Sequence, residues 1–205
     1  MRKPGSRQIA TAVACLLVAW GVVTFRAGAR QSDFDRELHE IDRALSAFAA
    51  SPPTGEPQAA EHGQLLVRRS SMTGEAEDLD RAGEAIEAAV ARHGASPALS
   101  YLKASVALKG HRLDEALSAL DRSPGLAHVP DAILLRGDVA LQQGRLAEAE
   151  GRYAEALSLS RGWAGLSRLA HLKDLLGAEA ESDALYEEAG KSLTAKEMRA
   201  FAWVS

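Results

Sequence analysis

Aromatic residues are scarce in this chain. Phenylalanine, tryptophan and tyrosine make up 5% of 205 residues, although 46% of the chain is hydrophobic. Alanine and leucine therefore supply most of the apolar surface. That argues against a β-sandwich rich in β-branched and aromatic side chains, and for helices packed closely through small residues. Cysteine is nearly missing too. Cys15 stands alone, so no internal disulfide forms, and the count neither requires nor excludes an oxidising compartment. There is no excess of positive charge: 24 basic residues face 28 acidic ones, for a net charge of −4, with no basic stripe. Nucleic-acid binding is disfavoured on that ground.

Catalytic and ligand motifs are also absent. The six histidines are His39, His62, His93, His111, His128 and His171, and no two stand at metal-ligand spacing; HExxH and CxxC do not occur. The chain has no GxSxG elbow, no phosphate-cradling glycine loop and no dinucleotide fingerprint. TGEAED, residues 73–78, lacks the oxygen-ligand series of an EF-hand and reads as a helix–helix turn. Acid-rich faces such as Glu181, Glu187 and Glu188 read as solvated surface, and His93 and His111 are expected to satisfy carbonyls at helix ends. The expectation is a non-enzymatic protein with no catalytic residue, cofactor or metal.

What is present begins with one long apolar run. A short basic tail, residues 1–7 with Arg2, Lys3 and Arg7, precedes the uncharged segment 8–25, which Arg26 ends. Eighteen helical residues reach about 27 Å at ~1.5 Å each, just short of a ~30 Å hydrocarbon core, a gap that snorkelling arginines cover. Trp20 and Phe25 lie toward the outer end, where aromatics favour the interface. A transmembrane anchor is the first reading, with the tail in the cytoplasm and the rest extracytoplasmic, in a periplasm-like space. A signal peptide cleaved after Ala29, within Ala27-Gly28-Ala29, is the alternative and leaves a secreted or periplasmic protein. Lipidation at Cys15 is disfavoured, because the apolar run continues past it.

Residues 33–50 place Phe34, Leu38, Ile41, Leu45 and Phe48 four, three, four and three apart, on one stripe of an amphipathic helix. About two heptads is short for a coiled coil, so self-association through this stripe is secondary. Packing on the chain's own domain, or against a membrane surface, is favoured. Pro52, Pro53 and Pro57 with two glycines then mark 51–63 as a Pro/Gly linker, which would leave the preceding helix mobile relative to the C-terminal domain.

From residue 64 to 205 the pattern is helix, short break, helix, without a credible strand. LKASVALKGHRLDEAL (102–117) lies over LRGDVALQQGRLAEAE (135–150) at an offset of 33 residues. Leu102 meets Leu135, Val106-Ala107-Leu108 meets Val139-Ala140-Leu141, and Arg112-Leu113 meets Arg145-Leu146. Another 33 residues on, Gly144 becomes Gly177 and YAEA (153–156) becomes YEEA (186–189). A fixed period in this range signals stacked repeats. Gly137, Gly144, Leu146, Ala149, Tyr153 and Ala156 resemble the tetratricopeptide repeat (TPR) series of small, turn and bulky positions. Neighbouring copies are partial. One offers Ala104, Leu113, Ala116 and Leu120, with His111 in place of the turn glycine. The first keeps Leu79, Ala82, Ile86 and Ala89 behind a longer turn, and the last offers Ala170, Gly177, Tyr186 and Ala189, with Glu179 in place of the bulky turn residue.

The resemblance covers about residues 64–190. It implies an all-α fold: an α-solenoid of three to four helical hairpins behind the transmembrane or signal helix. A C-terminal capping helix would follow, with Thr194 and Glu197 as a capping box and Met198, Phe201 and Trp203 covering the last face. It also implies a concave groove that takes a peptide or extended segment. By the alignment, that groove is lined by Tyr101, Ser105 and Lys109, then Asp131, Leu134, Asp138 and Gln142, then Ser167, His171 and Asp174. The set is more acidic than basic and, Lys109 apart, lacks a basic carboxylate clamp. The layout is similar to single-pass TPR adaptor and assembly proteins of the cell envelope. The resemblance therefore implies a membrane-tethered scaffold that binds an envelope protein. A permanent subunit of a larger membrane complex is the alternative, and the regulatory subunit of an enzyme a more distant one.

Overall fold

The computed structural model describes residues 33–193. The basic tail 1–7, the apolar run 8–25 and the capping segment from Thr194 lie outside the described residues. Helix α1 occupies residues 33–50. It is followed by α2 (Glu56–Thr73), α3 (Ala76–His93), α4 (Pro97–Lys109), α5 (Leu113–Asp121), a 3₁₀ turn (Pro124–Leu126), α6 (Pro130–Gln142), α7 (Leu146–Leu159), α8 (Trp163–Leu175) and α9 (Glu179–Ser192). The strongest contacts fall within the pairs α2–α3, α4–α5, α6–α7 and α8–α9, so four hairpins stack in chain order. Each pair's second helix also packs on the first helix of the next pair.

Local chemistry sets the helix ends. Pro57, Pro97 and Pro130 sit in first turns, where the missing N–H removes nothing. Ser96 caps α4 by accepting from the Leu99 N–H at 3.2 Å. The turns after α6 and α8 share one construction. Gly144 (φ 74) and Gly177 (φ 75) adopt the left-handed conformation. The next residue then donates back to the carbonyl five before it, Arg145 to Ala140 at 2.8 Å and Ala178 to Lys173 at 2.9 Å. The turn after α4 is built alike, with Arg112 donating to Ala107 at 2.8 Å, but the left-handed residue is His111 (φ 55). His111 thus keeps the turn without the glycine, at a backbone cost of about 1 kcal/mol. Its ring satisfies no carbonyl of its own helix, contrary to the expectation from its position. Instead Nδ1 lies 3.1 Å from the Gln142 side-chain oxygen.

The core is a chain of small clusters, one at each hairpin junction. Leu66, Ile86, Leu99 and Leu102 join α2, α3 and α4. Ala104, Ala116, Leu120, Leu135 and Val139 join α4, α5 and α6. Ile133, Tyr153 and Leu172 join α6, α7 and α8, and Leu157, Leu166 and Ala189 close the series. Alanine at the closest approaches lets the helices draw together, and leucine fills the space beside each contact. At Gly137 even a methyl is excluded: a Cβ there would lie 2.5 Å from the Tyr153 ring.

Three expectations change. The supposed linker 51–63 is helical from Glu56, because Pro57 falls in a first turn and Gly63 sits inside α2 against Ile86. The turn read over 73–78 shrinks to Gly74 and Glu75, since Glu77 and Asp78 form the acidic first turn of α3. The helix at 33–50 is docked rather than mobile. Ile41 is buried, Leu45 packs on the α2–α3–α4 cluster, and the Phe48 and His62 rings lie 5.1 Å apart. That packing also occupies part of the apolar stripe proposed for self-association.

Candidate functional site

The first helices of the hairpins, α4, α6 and α8, carry the residues expected to line the groove. Part of that set meets. The Tyr101 hydroxyl is pushed above its ordinary pKa, mainly by burial and then by the negative field of Asp131. Arg168 pulls it back and Asp138 adds to the rise, so these four side chains from three helices share one electrostatic neighbourhood. Ser105, a turn after Tyr101 on α4, donates to the Tyr101 carbonyl at 3.0 Å.

Asp138 is the centre of this face. It accepts from the Tyr153 hydroxyl at 2.9 Å and from Arg168 Nε, with both carboxylate oxygens at 2.9 Å. Arg168 also donates to the Ala164 carbonyl at 2.9 Å, which fixes its rotamer. Burial, followed by the Asp138 charge, raises the Tyr153 pKa and keeps its proton in place as the donor. The arrangement ties α6, α7 and α8 into one rigid floor.

The other expected residues divide. Lys109 reaches across to α2 and donates to Ser71 at 3.0 Å, and Gln142 meets His111. Ser167 donates only to its own helix, at the Ala164 carbonyl. Asp131, His171 and Asp174 stand exposed on the surface. Leu134 is not a groove residue: it is 5% exposed and belongs to the cluster around Tyr153 and Leu172. The cause is the next hairpin, whose Gly165 comes close enough that a Cβ there would lie 3.7 Å from Leu134.

Sequence reasoning missed Arg168. Its partner Asp138 is 30 positions away, and only the 33-residue offset, which equates Asp138 with His171, hints that a residue one turn before His171 faces it. A second charged cluster was also missed. Arg69 on α2 pairs with Asp42 of α1 at 2.8 Å, with Glu75 at 2.8 Å, and with Asp78 of α3. Asp78 is 1% exposed and also takes Arg81 at 3.2 Å. Hydrogen bonds to Asp42, Asp78 and Glu75 raise the Arg69 pKa still further above neutral. The cluster holds α1, α2 and α3 together and offers no open coordination position. Among the described residues no group of three or more His, Cys, Asp or Glu is placed to hold a metal ion. No described helix is long and apolar enough to cross a membrane.

Comparison with known proteins agrees with this geometry. Residues 29–178 match the tetratricopeptide repeat-like domain family. TTC0263, a thermophilic TPR protein of Thermus thermophilus, superposes with a TM-score of 0.64 at 19% identity, over 91% of this chain and 94% of that one. MamA gives 0.52 at 18% identity, over 79% and 90%. PilF of Pseudomonas aeruginosa gives 0.52 at 16% identity, over 82% and 78%. Identities this low speak for the fold alone. No curated protein matches the chain.

Proposed function

Since the chain belongs to the tetratricopeptide repeat-like family, we propose that it is a non-enzymatic, membrane-tethered scaffold: an adaptor or assembly factor that binds an envelope protein on the face of α4, α6 and α8. The family's fold is that of a protein-interaction scaffold. The observation that carries the reading is the Asp138–Arg168 ion pair, which joins the third and fourth hairpins on this face, with Tyr101 of the second hairpin and Asp131 in the same electrostatic neighbourhood. Its interior members are already satisfied by one another, so the surface is pre-formed. Pre-organisation of this kind lowers the entropic cost of binding. Exposed Asp131, His171 and Asp174 surround it and supply the polar contacts of a rim. In this reading residues 8–25 anchor the chain, with residues 1–7 in the cytoplasm and the repeats extracytoplasmic.

The test is photo-crosslinking from native membranes, with the crosslinker placed at Asp131 or His171, and at exposed Ala154 on α7 as the control. A discrete partner band from positions 131 and 171 and none from 154 is expected. Equal yields from all three positions would remove the face from consideration. A partner that survives mild detergent and without which the repeats unfold would instead favour the permanent-subunit reading. Mass spectrometry of the mature N-terminus separates an anchor from cleavage after Ala29.

A further inference from the structure

A cleft of about 210 Å³ opens where the bend after α1 arches over α3, away from the face just described. Its walls include Pro53 from the bend, His62 from α2, and Ala85, Ala89, Arg92 and His93 from α3. The composition is one-sided. The floor is methyl groups and proline rings, every ionisable residue of the lining is basic or a histidine, and no carboxylate lines it. Arg81, on the same helix, adds further positive field at His62, whose pKa is lowered chiefly by burial and then by that guanidinium.

The emptiness follows from an identifiable choice of residues. In the register that equates Leu79 with Leu146, the third hairpin carries the Arg152–Glu155 ion pair where the first carries Ala85 and Ala88. The long pair covers its helix, and the two alanines leave theirs bare. Arg92 makes one long hydrogen bond here, 3.3 Å to the Pro53 carbonyl, which an incoming anion replaces at little cost.

We propose that this cleft is a second binding site, which takes an acidic peptide segment with one small apolar side chain set between two carboxylates. The apolar side chain seats on Ala85 and Ala89, and the carboxylates meet Arg92 and His93 on one side and His62 on the other. Two flanking carboxylates suit donors that come from separate helices, the Arg92 guanidinium on α3 and the neutral His62 ring N–H on α2. The volume admits one valine-sized side chain and excludes an aromatic pair. The proposal does not depend on the face formed by α4, α6 and α8.

The test is an NMR titration of the full-length ¹⁵N-labelled chain with N-acetyl-Asp-Val-Asp-amide, and with N-acetyl-Asn-Val-Asn-amide as the neutral probe. The acidic probe is expected to shift the amides of Ala85, Ala88 and Ala89, and the neutral one to bind about tenfold more weakly. The double variant Arg92→Gln/His93→Gln, at two exposed positions, should lose the response and keep its circular dichroism. Ala88→Leu, also exposed, should block the site by filling it. Crosslinking at Asp131 should be unchanged in both variants, which separates this site from the proposed scaffold face. No shift with the acidic probe, equal shifts with the neutral one, or an undiminished response in the double variant would each overturn the proposal.

Discussion

The first and third hairpins solve the same packing problem differently. In the third, Gly137 gives up its side chain and the Tyr153 ring fills the space, ending in a hydroxyl that donates to Asp138. In the first, Gly63 faces Ile86, an aliphatic side chain with nothing polar to deliver. The polar anchor moves elsewhere, to the Arg69–Asp78 cluster near the turn. One hairpin thus fastens its neighbour on the face of α4, α6 and α8, and the other fastens α1 at the edge of the stack. A repeat keeps its contact geometry while the fastening chemistry moves to wherever the adjoining helix lies.

The largest expected effects come from removing either fastening. Tyr153→Ala should cost about 3–5 kcal/mol in urea denaturation, since the ring is fully buried. Tyr153→Phe should cost only about 1 kcal/mol, because Arg168 still holds Asp138. Arg69→Met should cost about 3–5 kcal/mol by leaving Asp78 buried with Arg81 alone. Asp42→Asn, at a half-exposed partner, should cost less than about 1 kcal/mol. If Arg69→Met proved neutral, the first hairpin would be held by its apolar contacts and the contrast would collapse.

The two glycines sharpen the comparison at a smaller scale. Gly137→Ala drives a methyl to within 2.5 Å of a rigid ring and should destabilise by about 1–3 kcal/mol. Gly63→Ala meets Cγ1 of the buried Ile86 at 2.9 Å, a milder clash, and gains about 1 kcal/mol of helix propensity, so it should destabilise by less than Gly137→Ala. Smaller again, His111→Gly should raise stability by about 1 kcal/mol in the same assay by relieving the left-handed backbone.

The smallest effect is a pH dependence confined to the first hairpin. His62 packs against Phe48 of α1 and feels Arg81, with Arg92 and His93 beside it on α3. Its folded pKa lies below the ordinary 6.5, so the unfolded chain binds the proton more readily. This contribution to stability is therefore whole above pH 6.5 and declines as the pH falls from there toward the lowered value. Thermal melts at pH 8 and pH 5 should differ less in His62→Gln than in the parent chain, once other titrating groups cancel in the comparison.

The repeat itself was legible because its signals are local. Leu102 and Leu135 are both buried in helices of equal length, 33 residues apart, as the aligned segments implied. Length within a hairpin was not legible. TGEAED looks like a loop by composition, yet its acidic residues belong to a helix N-terminus, where the macrodipole favours them. The sequence match between Tyr153 and Tyr186 also misled. Gly137 makes room for the first ring, whereas Ala170 carries a methyl at the equivalent position, and Tyr186 is 44% exposed. On the face of α4, α6 and α8, the register placed Tyr101 and Asp138 on neighbouring first helices, and the two share one electrostatic neighbourhood. Leu134 failed because its burial depends on how closely the following hairpin approaches, and no single repeat encodes that distance.

The unequal hairpins have a mechanical consequence. Ten residues of α2 follow Gly63, and five of α6 follow Gly137. At ~1.5 Å per residue, the first helix of the first hairpin runs roughly 7 Å further past its packed glycine than that of the third. Arg69 stands on that extra length, so the added turns of α2 are what carry the tether to Asp42 of α1.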